Sequence, residues 1–233
     1  MMETDFQTLE FIRIRKVLDI RSPADAEDQP EARVLIANSI GSAGLRISKS
    51  ELCRKLLGIL LDETCPKLAR RVRLVHTNEG APRLMEFNRS SGISVSLSHS
   101  GDDLMAAICR NAHIGIDLEK HAPRRRSAEI ASYLGWDADD GNKPDFLARW
   151  TLWEASAKCL ESSVLMSENP GFKALDGKLE SGQLGAWGAW HGLTGRTAEM
   201  LSYSVALFSE PPCRLELSTP EFQALHPWKH DSA

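Results

Sequence analysis

Three carboxylates and one ammonium carry the chemistry that this sequence offers. Glu154 and Lys158 lie in the run Asp145–Glu161, where Phe146, Trp150, Trp153, Ala157 and Leu160 recur at helical spacing. The spacing predicts a helix with that apolar stripe buried and, beside it, a second stripe of Leu147, Thr151, Glu154, Lys158 and Glu161. A carboxylate and an ammonium then share one face, a turn apart. Such a pair ordinarily does no more than stabilise its helix, by roughly 0.2–0.5 kcal/mol. Upstream, however, Ile114–Glu119 (IGIDLE) reads as a strand with Ile114, Ile116 and Leu118 on one face and Gly115, Asp117 and Glu119 on the other. Asp117 and Glu119 therefore project the same way, roughly 6.6 Å apart at their backbones. That is close enough for both to hold one cation, with Glu154 as a third ligand.

A further polar element precedes the strand: Ser96-Leu97-Ser98-His99-Ser100-Gly101-Asp102. The succession of this Ser-His-Ser element, the Asp-x-Glu strand and Trp150-Thr151-x-x-Glu154-Ala155-x-x-Lys158 resembles the signature motifs of the 4'-phosphopantetheinyl transferases. Order and spacing are similar to those of the full-length, surfactin-type branch, over the middle third of the chain. The resemblance implies an α+β fold of two pseudo-equivalent α/β lobes with the active site between them, here expected over 1–112 and 113–233. It implies transfer of the phosphopantetheine arm of coenzyme A to a serine of an acyl- or peptidyl-carrier protein, with release of adenosine 3',5'-bisphosphate.

That reaction is attack by a hydroxyl on a pyrophosphate phosphorus, and it needs neutralisation of charge more than covalent help. Magnesium suits it because the ion prefers oxygen ligands. By resemblance Asp117, Glu119 and Glu154 are the metal ligands, and Asp117, Glu154 and Lys158 the catalytic set. Glu154, directly or through a water, would accept the serine proton, and Lys158 would stabilise charge on the transferring phosphate or leaving group. His99, aided by Ser98, would hydrogen-bond a coenzyme A phosphate. Arg46 and Lys49, near the start of a predicted helix, would hold the 3'-phosphate, as helix N-termini favour phosphate. The basic run His121–Arg126 would steer an acidic carrier protein by charge.

The chain departs from the family at two positions. In Gly80-Ala81-Pro82, Ala81 stands where a basic residue commonly contacts coenzyme A, so Arg83 would have to supply that contact. Trp153 stands where a lysine usually precedes the motif's glutamate, and it fits the buried stripe instead. Both changes remove a cation from the coenzyme side. They leave open a catalytically impaired coenzyme A or carrier-protein binding module. Independently of the family, an Asp-x-Glu strand with a distant Glu and Lys is also the skeleton of metal-dependent nucleases, against which the net negative charge and the Ser-His-Ser element count.

The elements that must position these groups are legible in part. A first strand is expected within Phe6–Ile20, a loop over Pro23–Pro30 and a short helix over Glu31–Ile40. Ser48, with Glu51 three residues on, caps a predicted helix to Leu61 whose apolar face is Leu52, Leu56, Ile59 and Leu60. Arg70–Val75 reads as a strand and Asn78–Arg83 as a turn. Ile93, Val95 and Leu97 alternate with serines in a half-buried strand that delivers His99 to its end. Leu104–Cys109 continues the meander into Ile114–Glu119. A helix is expected over Ser127–Leu134, strands over Leu201–Phe208 and Leu215–Leu217, and a tail after Pro220.

Composition bounds the rest. With 233 residues, 42% hydrophobic and 26% charged, the chain can bury a sizeable core. A net charge of −4 argues against a general nucleic-acid binder. The five cysteines include no Cys-x-x-Cys pair, so neither a disulfide framework nor a zinc site is expected. No secretory signal or membrane-length apolar run is visible, and a cytoplasmic location is expected. Full-length members of the resembled family complete the site within one chain, so the resemblance implies a monomer.

Overall fold

The computed structural model describes residues 12–23, 29–39, 47–77, 80–120, 127–137, 146–162, 168–197 and 201–220. Arg46, the basic run 121–126 and the segment after Pro220 lie outside them. In chain order the elements are β1 (Ile12–Arg21), β2 (Glu31–Ser39), α1 (Lys49–Thr64), α2 (Pro66–Ala69), β3 (Val72–His76), β4 (Pro82–Glu86), β5 (Arg89–Ser90), β6 (Ile93–Ser100), β7 (Asp103–Arg110) and β8 (His113–Lys120). There follow α3 (Ser127–Tyr133), α4 (Phe146–Cys159), α5 (Pro170–Leu175), β9 (Leu184–Trp187), β10 (Trp190–Arg196), β11 (Leu201–Phe208) and β12 (Glu216–Ser218).

The fold is mixed α+β, built on antiparallel sheets. One sheet has five strands in the order β12-β1-β2-β7-β6, and a second has four in the order β8-β11-β10-β9. A small third sheet is the β3-β4-β5 meander. The two large sheets stack face to face. Leu18, Val34, Ile36 and Met105 from the first meet Ile114, Ile116, Leu118 and Val205 from the second in one apolar layer. The other face of the first sheet is covered by α1, through Leu52, Leu56, Leu57 and Leu60. Helix α4 covers the outer face of the second with Trp150, Trp153 and Ala155. The result is four layers, helix, sheet, sheet, helix, each apolar face buried against the next.

Most expected elements are present, but Glu31–Ile40 is the strand β2 and not a helix. Its residues are apolar on both sides: Ala32, Val34 and Ile36 enter the layer between the sheets, while Leu35 and Ala37 face α1. A strand buried on both faces shows no alternation, and a short apolar run of this kind reads equally well as helix.

The turn at Asn111 and Ala112, with Asn111 at φ 58°, carries the chain from the first sheet to the second. Strand β12 brings it back, pairing Asp19 with Ser218 and Arg21 with Glu216 on β1. The first sheet thus contains strands from both ends of the chain.

β6 and β8 are edge strands of different sheets, and they are joined by side chains. Ser94 Oγ accepts from the Ile114 amide, Ser96 Oγ from the Ile116 amide and Ser100 Oγ from the Lys120 amide, each at 3.1 Å. These hydroxyls satisfy donors that a bare sheet edge would leave open. The serine face of β6, expected to be its wet side, is instead part of the interface: Ser96 is 3% and Ser98 8% exposed. Among the described residues, no helix is long and apolar enough to cross a membrane.

Candidate active site

Alternation along β8 divides its side chains as its sequence requires. Ile114, Ile116 and Leu118 enter the core between the sheets, and Gly115, Asp117 and Glu119 lie on the face under α4. Gly115 is where helix and strand touch. A Cβ at that position would stand 1.9 Å from the Ala155 carbonyl oxygen and 2.4 Å from the Cys159 nitrogen, both backbone atoms of α4 or its end. Only glycine allows an approach this close. Thr151 fixes the helix further along, its hydroxyl 2.8 Å from that of Ser204 on β11. Held this way, α4 presents Glu154 and Lys158 to the Asp117 end of β8.

Ligand oxygens of Asp117, Glu119 and Glu154 all lie within 4.8 Å of one another. Asp117 is 2% exposed. Its Oδ1 accepts from Ser98 Oγ at 2.8 Å and from Lys158 Nζ at 2.6 Å. Its Oδ2 is buried and has no hydrogen-bond partner. Lys158 also stands 3.6 Å from Glu154 Oε2. Burial alone would draw the Lys158 pKa down, but the charges of Asp117 and Glu154 outweigh it and hold the ammonium above its ordinary range. Ser100 Oγ donates to Glu119 Oε2 at 3.0 Å.

This arrangement could hold a metal ion. The donor set is entirely carboxylate oxygen, which suits a hard divalent cation and not a thiophilic one. An orphaned buried oxygen, such as Asp117 Oδ2, is otherwise a penalty on folding.

The remaining expected residues are distributed around this centre. Ser98 joins it directly. His99, the next residue of β6, is exposed and belongs to the opposite face of the strand, shared with Val95 and Leu97 of the α1 layer. Lys49, in the first turn of α1, donates to Asp102 Oδ1 at 2.5 Å and Ser39 Oγ at 2.8 Å. The Lys49 hydrogen bond and charge hold the Asp102 carboxyl below its usual range. Lys49 thus lies beside the turn three residues beyond His99, and an anion reaching it must compete with Asp102.

Arg83 is not brought to the triad. Its Nε donates to Glu161 Oε2 at 3.0 Å, and its Nη2 donates to the same oxygen, tying β4 to the end of α4. Trp153 supplies no polar group to the site. It is 4% exposed and packs edge-on against Trp136 and Phe172, with centroids 6.0 and 5.1 Å away. Arg149 covers Trp136 at 4.3 Å and pairs with Asp176 at 2.8 Å, which closes this aromatic cluster.

Sequence reasoning missed Ser100 and Glu161. The first had a signal: serines at every second position from 94 to 100 mark one continuous hydroxyl face. The second had none, because its partner lies 78 residues away. No protein-family model matches the chain, and no curated protein matches it either.

Proposed function

We propose that this protein is a magnesium-dependent transferase that moves the 4'-phosphopantetheine arm of coenzyme A to a serine of an acidic acyl- or peptidyl-carrier protein, on a fold of the phosphopantetheinyl transferase type. One observation carries the reading: ligand oxygens of Asp117, Glu119 and Glu154 lie within 4.8 Å of one another, Lys158 reaches Asp117 at 2.6 Å and Glu154 at 3.6 Å, and one Asp117 oxygen is buried and unpartnered. The motifs that suggested the chemistry lie far apart in sequence, and their side chains meet.

Asp117, Glu119 and Glu154 would hold the cation. Magnesium, when bound, supplies neutralisation of the pyrophosphate charge. Lys158 sits where it can receive the charge that develops on the phosphate, and its raised pKa keeps it protonated at neutral pH. Glu154, half-buried at the rim, is the group placed to take the proton of an incoming serine. Ser98 orients the Asp117 carboxylate by its 2.8 Å hydrogen bond. His99 and Lys49, beyond the end of β6, offer donors for the nucleotide phosphates.

The test is the intact mass of a purified apo-carrier protein after incubation with this protein, coenzyme A and magnesium, with Glu154→Gln in parallel. A gain of one phosphopantetheine that the variant does not give is the expected result. No gain across several carrier types, with coenzyme A still bound, would replace this reading with that of a binding module. Three features favour that second reading: Trp153 is in the core, Ala81 has no charge, and Arg83 is occupied by Glu161.

A further inference from the structure

A pocket of about 470 Å³ lies toward the start of β6 and β8 and is lined by residues of both strands. Its walls include Leu84 and Ser90 of the small meander, Val95 of β6, His113 of β8, and Phe208 and Glu210 at the end of β11. The Arg83–Glu161 ion pair also borders it. His113 precedes Asp117 by four residues on the same face of β8, so the pocket lies about 13 Å along the strand from the triad. Glu161 follows Lys158 by three residues, just past the end of α4. Of the groups that line the pocket, this ion pair is the one nearest Lys158 in the sequence.

The charge of the pocket selects among possible occupants. Arg83 is neutralised by Glu161, and Glu210 adds an exposed carboxylate. A phosphate is disfavoured there. The walls alternate apolar groups with hydroxyl, amide and imidazole groups, a lining suited to an uncharged chain carrying amides and methyl groups. Pantetheine is such a chain, and with two amide bonds it extends much as a short peptide does.

We propose that this pocket seats the uncharged pantetheine arm of coenzyme A, which rests on the transferase reading, and that the arm reaches it past the Arg83–Glu161 pair. The nucleotide half then lies toward Lys49 and His99, and the two halves of the substrate are recognised by surfaces of different charge.

The experiment compares coenzyme A with adenosine 3',5'-bisphosphate, which lacks the arm, by calorimetry on the wild type and on Ser90→Trp. Ser90 is exposed on an edge strand, where an aromatic residue is well accommodated, and its enlargement fills the pocket from the rim. The variant should weaken coenzyme A roughly tenfold or more and leave the bisphosphate unchanged. Saturation-transfer NMR should likewise lose the arm's methyl signals while retaining those of adenine. Equal weakening of both ligands, or of neither, would overturn the pocket assignment with the transferase reading intact. Failure of the wild type to bind either ligand would overturn the transferase reading and this one together.

Discussion

Lys158 donates to Oδ1 of Asp117 at 2.6 Å, while Oδ2 of the same carboxylate is buried without a hydrogen-bond partner. One oxygen thus secures α4 to β8 and the other is available to a cation. Asp117→Asn keeps the shape and removes the charge, leaving Lys158 with Glu154 at 3.6 Å. We expect metal affinity to fall at least tenfold and stability to fall by about 1.5–3 kcal/mol. Manganese titration and urea unfolding measure the two effects. Glu119→Gln should reproduce only the first.

Gly115→Ala places a methyl group against the backbone of α4, which has no side chain to swing aside. Stability should fall by about 1–3 kcal/mol or more. Because the helix must lift from the strand that carries Asp117, the proposed transfer should slow by about a hundredfold. Melting curves and the carrier-protein assay, run on the same preparation, show whether the two losses occur together. A stable variant with full activity would mean that contact at Gly115 does not set the site.

Ser96→Ala removes the acceptor of the Ile116 amide in a buried position. An unsatisfied buried donor costs about 1–3 kcal/mol. The Ile116 amide should also exchange with solvent faster than its neighbours in β8, which hydrogen-exchange NMR resolves.

Trp153→Lys restores the residue usual in the resembled family, yet it should not improve activity. The side chain packs edge-on against both Trp136 and Phe172 at 4% exposure, and an ammonium there has no solvent. A loss of about 3–5 kcal/mol is expected, as for other large core deletions. Denaturant midpoints decide it.

His191 gives a pH dependence of definite sign. Burial lowers its pKa, and the Cys213 carbonyl, 2.8 Å from Nε2, opposes this only in part. Nε2 therefore carries the proton, and the bare Nδ1 is buried. The unfolded chain binds a proton first as pH falls below the ordinary value of 6.5, so stability declines from there down to the folded pKa and then levels off. The urea midpoint should be lower at pH 5.5 than at pH 7.5, and His191→Gln should flatten the difference.

Much of the site was legible because its residues carry their own spacing. The helix over Asp145–Glu161 and the strand Ile114–Glu119 are close to α4 and β8, and period alone put Asp117, Glu119, Glu154 and Lys158 on the correct faces. What period could not supply is contact between segments. Gly115 read as one more residue on the acidic face, and its role is visible only with α4 resting on it. Arg83 looked available because Glu161 lies 78 residues away. Strand β2 was misread for the related reason that burial on both faces erases alternation. β9 and the start of β10 fall in residues 182–192, where Gly and Trp recur without a helical or strand period, and α5 is too short to show one. Gly171 and Gly185 make room for the rings of Trp190 and Trp187.

The hydroxyls of Ser94, Ser96 and Ser100 stand where a neighbouring strand would place its carbonyls, and β6 runs in the same direction as β8. The spacing of these two edge strands is therefore set by side-chain length at three positions, independently of the backbone bonding within either sheet. A longer or shorter polar residue at one of them would widen, narrow or tilt this joint while both sheets stay whole. The separation of these two edges is in that sense an adjustable dimension of this molecule, open to change one residue at a time.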